Sequence, residues 1–204
     1  MTPLGEPIAV EARGLVYANR GNMHDARKRI RRPFGVKRWI ACQLSFRGWH
    51  RAPLMQPGRF TELFFLDEAT AFAAGHRPCR LCRYEDYEAF VDTWSEIHPY
   101  RATNADAIDG VLHLERWDRS ERRQRHHEAP LRDLADGVFV LVDEDRPWLV
   151  FGARLLRWTP LGYTDRRARK PRGTVTVITP PSLVKVVARE RAPLVPFLHP
   201  SAFD

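Results

Sequence analysis

Cys79 and Cys82 stand at C-x2-C spacing directly behind a helix stop, and no other feature restricts the chain as much. Leu63-Phe64-Phe65-Leu66 is an apolar run of strand type, Asp67 offers a carboxylate N-cap, and Glu68 to Ala74 make a short alanine-rich helix. Gly75 suits the position after that helix, where φ turns positive, and Pro78 prevents its resumption. The backbone therefore enters Cys79-Arg80-Leu81-Cys82 as a tight turn. A turn of this length aims both sulfurs at one point, which is half of a tetrahedral zinc site. Redox dithiols share the spacing, but a thioredoxin-like motif opens a helix after a strand, whereas this one follows a helix end. Cysteines that hold no metal are the third reading.

A closed site needs two more ligands. Cys42, 37 positions before Cys79, is the remaining cysteine. Three histidines compete for the fourth place. His50 lies eight residues after Cys42 within one loop, His24 requires the N-terminal segment to fold over the site, and His76 is so close to the knuckle that it packs more naturally outside it. The expected set is Cys42, His50, Cys79 and Cys82 around Zn²⁺, with His24 in reserve.

Residues 63–82 resemble the Ada-type zinc-binding domain, the methylphosphotriester-repair module, through an aromatic strand, an alanine-rich helix and an Ala-Gly-x-Arg-Pro-Cys-x2-Cys ending. Phe65, Glu68, Ala69, Ala73, Ala74, Gly75, Arg77, Pro78, Cys79 and Cys82 carry the likeness. In that family two earlier cysteines at C-x3-C spacing complete the site, and the first accepts the alkyl group. Cys42 matches the first of them and Phe46 stands at the second, so a histidine is the implied replacement. The resemblance implies structural zinc and a DNA partner, and it raises the question of repair chemistry at Cys42.

The net charge of +8 points to a polyanion, and its distribution is uneven. Residues 1–60 hold 12 Lys/Arg against 3 Asp/Glu, residues 61–150 hold 11 against 19, and residues 151–204 hold 10 against 3. Two basic clusters are candidate phosphate contacts: Arg27, Lys28, Arg29, Arg31, Arg32, Lys37 and Arg38, then Arg166, Arg167, Arg169, Lys170 and Arg172. Phe34 and Trp39 beside the first cluster are either base-stacking rings or core anchors. No apolar run approaches a membrane span, and the N-terminus lacks the pattern of a signal peptide, so a cytoplasmic location is expected. Three cysteines make no disulfide framework.

The remaining chain reads as α+β. Ile8-Ala9-Val10 and Leu15-Val16-Tyr17 suggest strands, and the runs after Trp39 and before Asp67 can pair as a hairpin. Tyr87, Phe90, Val91 and Trp94 lie at helical spacing over 84–97, and a second helix starts at Thr103 or Asn104 and runs to about Arg125. From Gly137 the texture is β, with Val138–Val142 and Trp148–Phe151 as a hairpin, 166–172 as a basic loop, Thr174–Ile178 as a strand and a short helix to Val187. The expected organisation is a zinc-knuckle domain over 1–130 with two helices after the knuckle, then a small β-rich domain over 131–204. No P-loop, dinucleotide fingerprint, nucleophile elbow or HExxH occurs. The function expected is a zinc-containing nucleic-acid-binding protein, with DNA favoured over RNA. A DNA-acting enzyme, either a nuclease or an alkyl acceptor, and a protein-interaction module are the alternatives.

Overall fold

Val16–Asn19 (β1) is an inner strand of a small sheet whose other members are Ile40–Cys42 (β2), Leu63–Phe65 (β3) and Arg77–Pro78 (β4). The computed structural model describes residues 1–49, 52–143, 146–170, 172–189 and 197–204. Strand order is β3-β1-β2-β4. The two apolar runs expected to form a hairpin do not pair with each other. Both flank β1, with Tyr17 opposite Cys42 on one side and Phe64 on the other. Alternation in β1 explains this, because Val16 and Ala18 pack into one apolar cluster while Tyr17 packs beside Cys42 in another. Ile8-Ala9-Val10, read as a strand, joins no sheet.

Glu68–Ala73 (α1) follows β3 as expected, with the Asp67 carboxylate accepting the Thr70 N–H at 2.8 Å. All six of its residues are buried. Its alanines let it lie close between two cores. Ala71 and Ala74 belong to the core of the small sheet, while Ala69 and Ala73 belong to the core of a larger sheet.

Tyr84–Ile97 (α2) and Ala105–Arg116 (α3) come next, and the Asn104 side chain caps α3 by accepting from Ala107 N–H. The helix expected to reach Arg125 ends nine residues earlier, because Trp117–Asp118 (β5) turns back to pair with Arg123–Gln124 (β6). The Asp118 carboxylate accepts from the Ser120 and Glu121 N–H groups, and Arg122 takes φ of 53°, so the chain closes a turn that the helical ladder cannot continue.

The larger sheet is built from His127–Pro130 (β7), Phe139–Asp143 (β8), Arg146–Phe151 (β9), Arg154–Thr159 (β10), Gly162–Ala168 (β11) and Thr174–Val177 (β12), in the order β11-β10-β9-β8-β12-β7. The hairpin expected at its start is present as β8 and β9. The first half of the expected basic loop is instead the end of β11, paired with β10 from Arg154 to Leu156. Both faces of this sheet are covered. Val140, Trp148, Val150, Leu155 and Val177 pack with Phe90, Trp94, Ile108 and Leu112 of α2 and α3, and with Leu183 and Val186 of the closing helix Pro181–Val187 (α4). The alternate residues Phe139, Leu149, Leu156 and Ile178 pack with Leu66, Ala69 and Ala73. Residues on either side of position 130 thus share one core. Among the described residues no helix is long and apolar enough to cross a membrane.

Candidate metal centre

The sulfur atoms of Cys42, Cys79 and Cys82 all lie within 4.8 Å of one another. Cys42 ends β2, and β2 runs parallel to β4 with Ile40 opposite Arg77 and Ala41 opposite Pro78. The ladder bonds run from Arg77 N–H to the Trp39 carbonyl at 3.2 Å and from Cys79 N–H to the Ala41 carbonyl at 2.9 Å. Pro78 has no N–H to give, and it occupies the one position between these bonds where none is needed. The pairing delivers Cys79 to Cys42, and the turn then brings Cys82 back toward both.

Backbone amides converge on these sulfurs. Gln43 N–H donates to Cys82 Sγ at 3.4 Å, and the N–H groups of Cys82 and Leu81 point at Cys79 Sγ. Amide donors around sulfur favour thiolate over thiol. Hydrogen bonds from Cys42 and then Cys82 draw the Cys79 thiol pKa far down, whereas Cys42 is pushed far up by its bonds to Cys79 and Cys82 and by burial. At Cys82 the pull of Cys42 downward is outweighed by Cys79 and burial, and the net shift is upward. Three sulfurs this close compete for negative charge. A divalent cation at their centre removes that competition, because metal binding deprotonates its thiols. The donor set suits a thiophilic ion such as Zn²⁺.

The surrounding frame is polar and ion-paired, buried at Arg77, Asp109 and Glu68 and half-buried at Arg83 and Asp86. Arg77 grips Asp109 of α3 through Nε at 3.2 Å and Nη2 at 2.7 Å and also donates to the Pro78 carbonyl. Arg83, one residue past the knuckle, pairs with Glu68 of α1 and Asp86 of α2. Tyr17 and Phe46 pack against the three cysteines, so Phe46 occupies space beside the sulfurs. Among these residues, Arg77 carries a sequence signal, standing just before Pro78-Cys79. Glu68 stands in the stretch that carries the resemblance, but nothing there pairs it with Arg83, 15 positions on, and Asp109, 32 positions from Arg77, has no signal.

The histidines divide. His50 lies outside the described residues. His24 hydrogen-bonds Thr61 Oγ1 at 2.6 Å through Nδ1 and the Gln56 carbonyl at 3.2 Å through Nε2, so both ring nitrogens are engaged away from the sulfurs. His76 is buried between Phe65 and Trp39 and is not grouped with the cysteines. Among the described residues the metal-competent group is the cysteine trio alone.

The first basic cluster lies wholly at the surface: Arg27, Lys28, Arg29, Arg31, Arg32, Lys37 and Arg38 are all exposed. Asp25 takes Arg29 and Arg31, and Asp106 takes Arg38. Trp39 is core, with the guanidinium carbons of the buried Arg20 and Arg116 at 4.3 and 4.1 Å from its ring centroid. Phe34 packs edge-on against His113 and Trp117. In the second cluster Arg166 donates to the Ser201 carbonyl, Arg169 to the carbonyls of Leu131 and Leu134, and Arg167 lies 4.6 Å from the Trp148 ring centroid. Lys170 and Arg172 are exposed. No protein-family profile, no characterised protein and no solved structure matches this chain.

Proposed function

We propose that this chain is a zinc-containing nucleic-acid-binding protein, with DNA as the polyanion and zinc as a structural ion. Cys42, Cys79 and Cys82 would hold the metal, with His50 as the candidate fourth ligand, and the ion would lock β2 and β4 to the start of α2. The observation that carries the binding reading is the loop between β1 and β2, which presents seven exposed cations. Among the described residues, Arg27, Lys28, Arg32 and Lys37 there have no carboxylate within ion-pair distance. Such side chains release counterions from a phosphate backbone without disturbing the core. Lys170 and Arg172 are the members of the second cluster that extend this reading, since Arg166 and Arg169 are committed to carbonyl oxygens of the protein.

An electrophoretic shift across a salt series tests it. Each phosphate contact contributes roughly 0.9 to the slope of log affinity against log salt. Replacing Arg27, Arg32 and Lys37 together by Glu is expected to weaken binding and flatten the slope with the fold intact. Affinity independent of salt, or unchanged in the triple variant, would return these charges to a solvated surface.

A further inference from the structure

Beside β3, one of the two edge strands of the small sheet, lies a cleft of about 770 Å³. Its walls are residues 7–10, 12–14 and 61–64, and Trp158 and Pro160 border it from the β10–β11 hairpin. This is within the size range of small-molecule sites, roughly 300–1,000 Å³. Five large apolar residues stand open along it: Ile8 is 37% exposed, Val10 50%, Ile30 39%, Leu44 45% and Phe64 36%. Folding ordinarily covers such side chains, and their grouping on one concavity marks a surface made to be covered by something else.

The charges bordering this apolar surface are unbalanced. Glu62 is the carboxylate in the lining, and its Oε2 already accepts the Met55 N–H at 2.8 Å. Arg13 and Lys28 face the same cleft with no carboxylate within ion-pair distance among the described residues. The turn around Asp25 explains why Lys28 is left over. Asp25 accepts from the Arg27 and Arg29 N–H groups and pairs with the Arg29 and Arg31 side chains, which saturates it. Lys28 sits at the corner of that turn with φ of 59°, its N–H bonded to the Asp25 carbonyl.

We propose that this cleft binds a small amphipathic organic anion, of which a medium-chain carboxylate is the simplest member. The alkyl body lies on Ile8, Val10, Ile30 and Phe64, and the head group meets Arg13 and Lys28. A neutral apolar ligand leaves both cations unanswered, and a nucleotide needs base-edge partners that hydrocarbon walls do not offer. The inference is independent of the nucleic-acid reading, which shares with it Lys28 alone.

Isothermal titration of the full-length protein with decanoate below its micellar range, and with decyltrimethylammonium as the same chain bearing the opposite charge, decides the matter. Saturable one-to-one binding of decanoate is expected, tighter than the cation by about tenfold or more. Lys28→Glu with Arg13→Glu should erase or invert that preference, and Val10→Glu should weaken both ligands, with far-ultraviolet circular dichroism unchanged in each variant. Absence of saturable binding, equal affinity for both head groups, or indifference to these substitutions overturns the proposal. So does a dimer in sedimentation that Val10→Glu dissociates, since a second copy would then be the cover.

Discussion

Arg77 and Asp109 form a two-point ion pair, Nε and Nη2 against the two carboxylate oxygens, with both side chains buried. Through it α3 holds the strand that places Cys79. Removing one partner leaves the other as an uncompensated buried charge, so Asp109→Ala is expected to cost about 3–5 kcal/mol in denaturant unfolding. Replacing both by apolar residues, Arg77→Met with Asp109→Leu, should recover much of that loss. A single variant as stable as the parent would mean that α3 does not hold the knuckle in this way.

Gly75 meets a second residue of α3. Its φ is 83°, and a Cβ there would lie 2.4 Å from Cδ of Arg116, whose Nη1 donates to the Gly75 carbonyl at 2.5 Å. Gly75→Ala therefore combines left-handed backbone strain with a clash against a buried side chain that has no room to move. The expected loss is about 2 kcal/mol or more. An alanine variant with an unshifted denaturation midpoint would show that Arg116 yields readily.

The knuckle was legible because its determinants are local. Asp67, Gly75, Pro78 and the cysteine spacing each act within a few residues of their effect, and each does in the structure what its chemistry implies. The β10–β11 hairpin was not legible. In Arg154–Thr159 the adjacent leucines Leu155 and Leu156 serve opposite faces of a sheet covered on both sides, which hides the two-residue period. In Gly162–Ala168 the charges that suggest a loop belong to an edge strand, where solvated side chains are tolerated. The premature end of α3 was hidden for a different reason: Arg116 to Arg125 has helical composition, and the turn at Asp118 together with the burial of Arg116 overrides it. Likewise the role of Arg166 and Arg169 as donors to distant carbonyls leaves no trace in a basic run.

Metal removal should read directly on folding. At a structural site binding energy is folding energy, so purified protein is expected to carry one zinc per chain and to melt lower after chelation. The three thiols should resist a disulfide reagent until the chelator is added, and Cys79→Ser should reproduce the chelated state. Elemental analysis that finds no metal in a chain of unchanged melting temperature would remove the centre.

Acid should destabilise the fold through His113. Burial first, then the nearby Arg116, Lys37 and Arg119, lowers its pKa from 6.5 to about 4. The unfolded chain thus takes up a proton near pH 6.5 that the folded chain refuses until about pH 4. The stability this group confers is complete above pH 6.5 and is lost as pH falls through that window. Among the described residues His113 Nδ1 has no hydrogen-bond partner, and Phe34 packs against the ring, so His113→Phe is expected to keep the fold. Its unfolding free energy should fall less steeply between pH 6.5 and 4 than that of the parent. Because acid also releases a thiolate-bound metal, the parent and variant are compared with the chelator present in both. Equal slopes would acquit His113.

Cys42 is the residue that membership of the alkyl-accepting family, expected from residues 63–82 and matched by no comparison, would make reactive. A zinc-bound thiolate is a stronger nucleophile when its site is more anionic: four thiolates on Zn²⁺ leave a net charge of about −2, whereas three leave about −1. This chain brings three together, and Phe46, four residues after Cys42, packs its ring against the cluster where a fourth sulfur would add charge. Cys42 is also only 6% exposed, so a phosphotriester has little access to its sulfur. Less charge and less access both favour a structural ion over a reacting one. After incubation of zinc-loaded protein with DNA carrying methylphosphotriesters, mass spectrometry is expected to find Cys42 unmodified. A methyl adduct on Cys42 at full zinc occupancy would make it the acceptor and the centre a catalytic one.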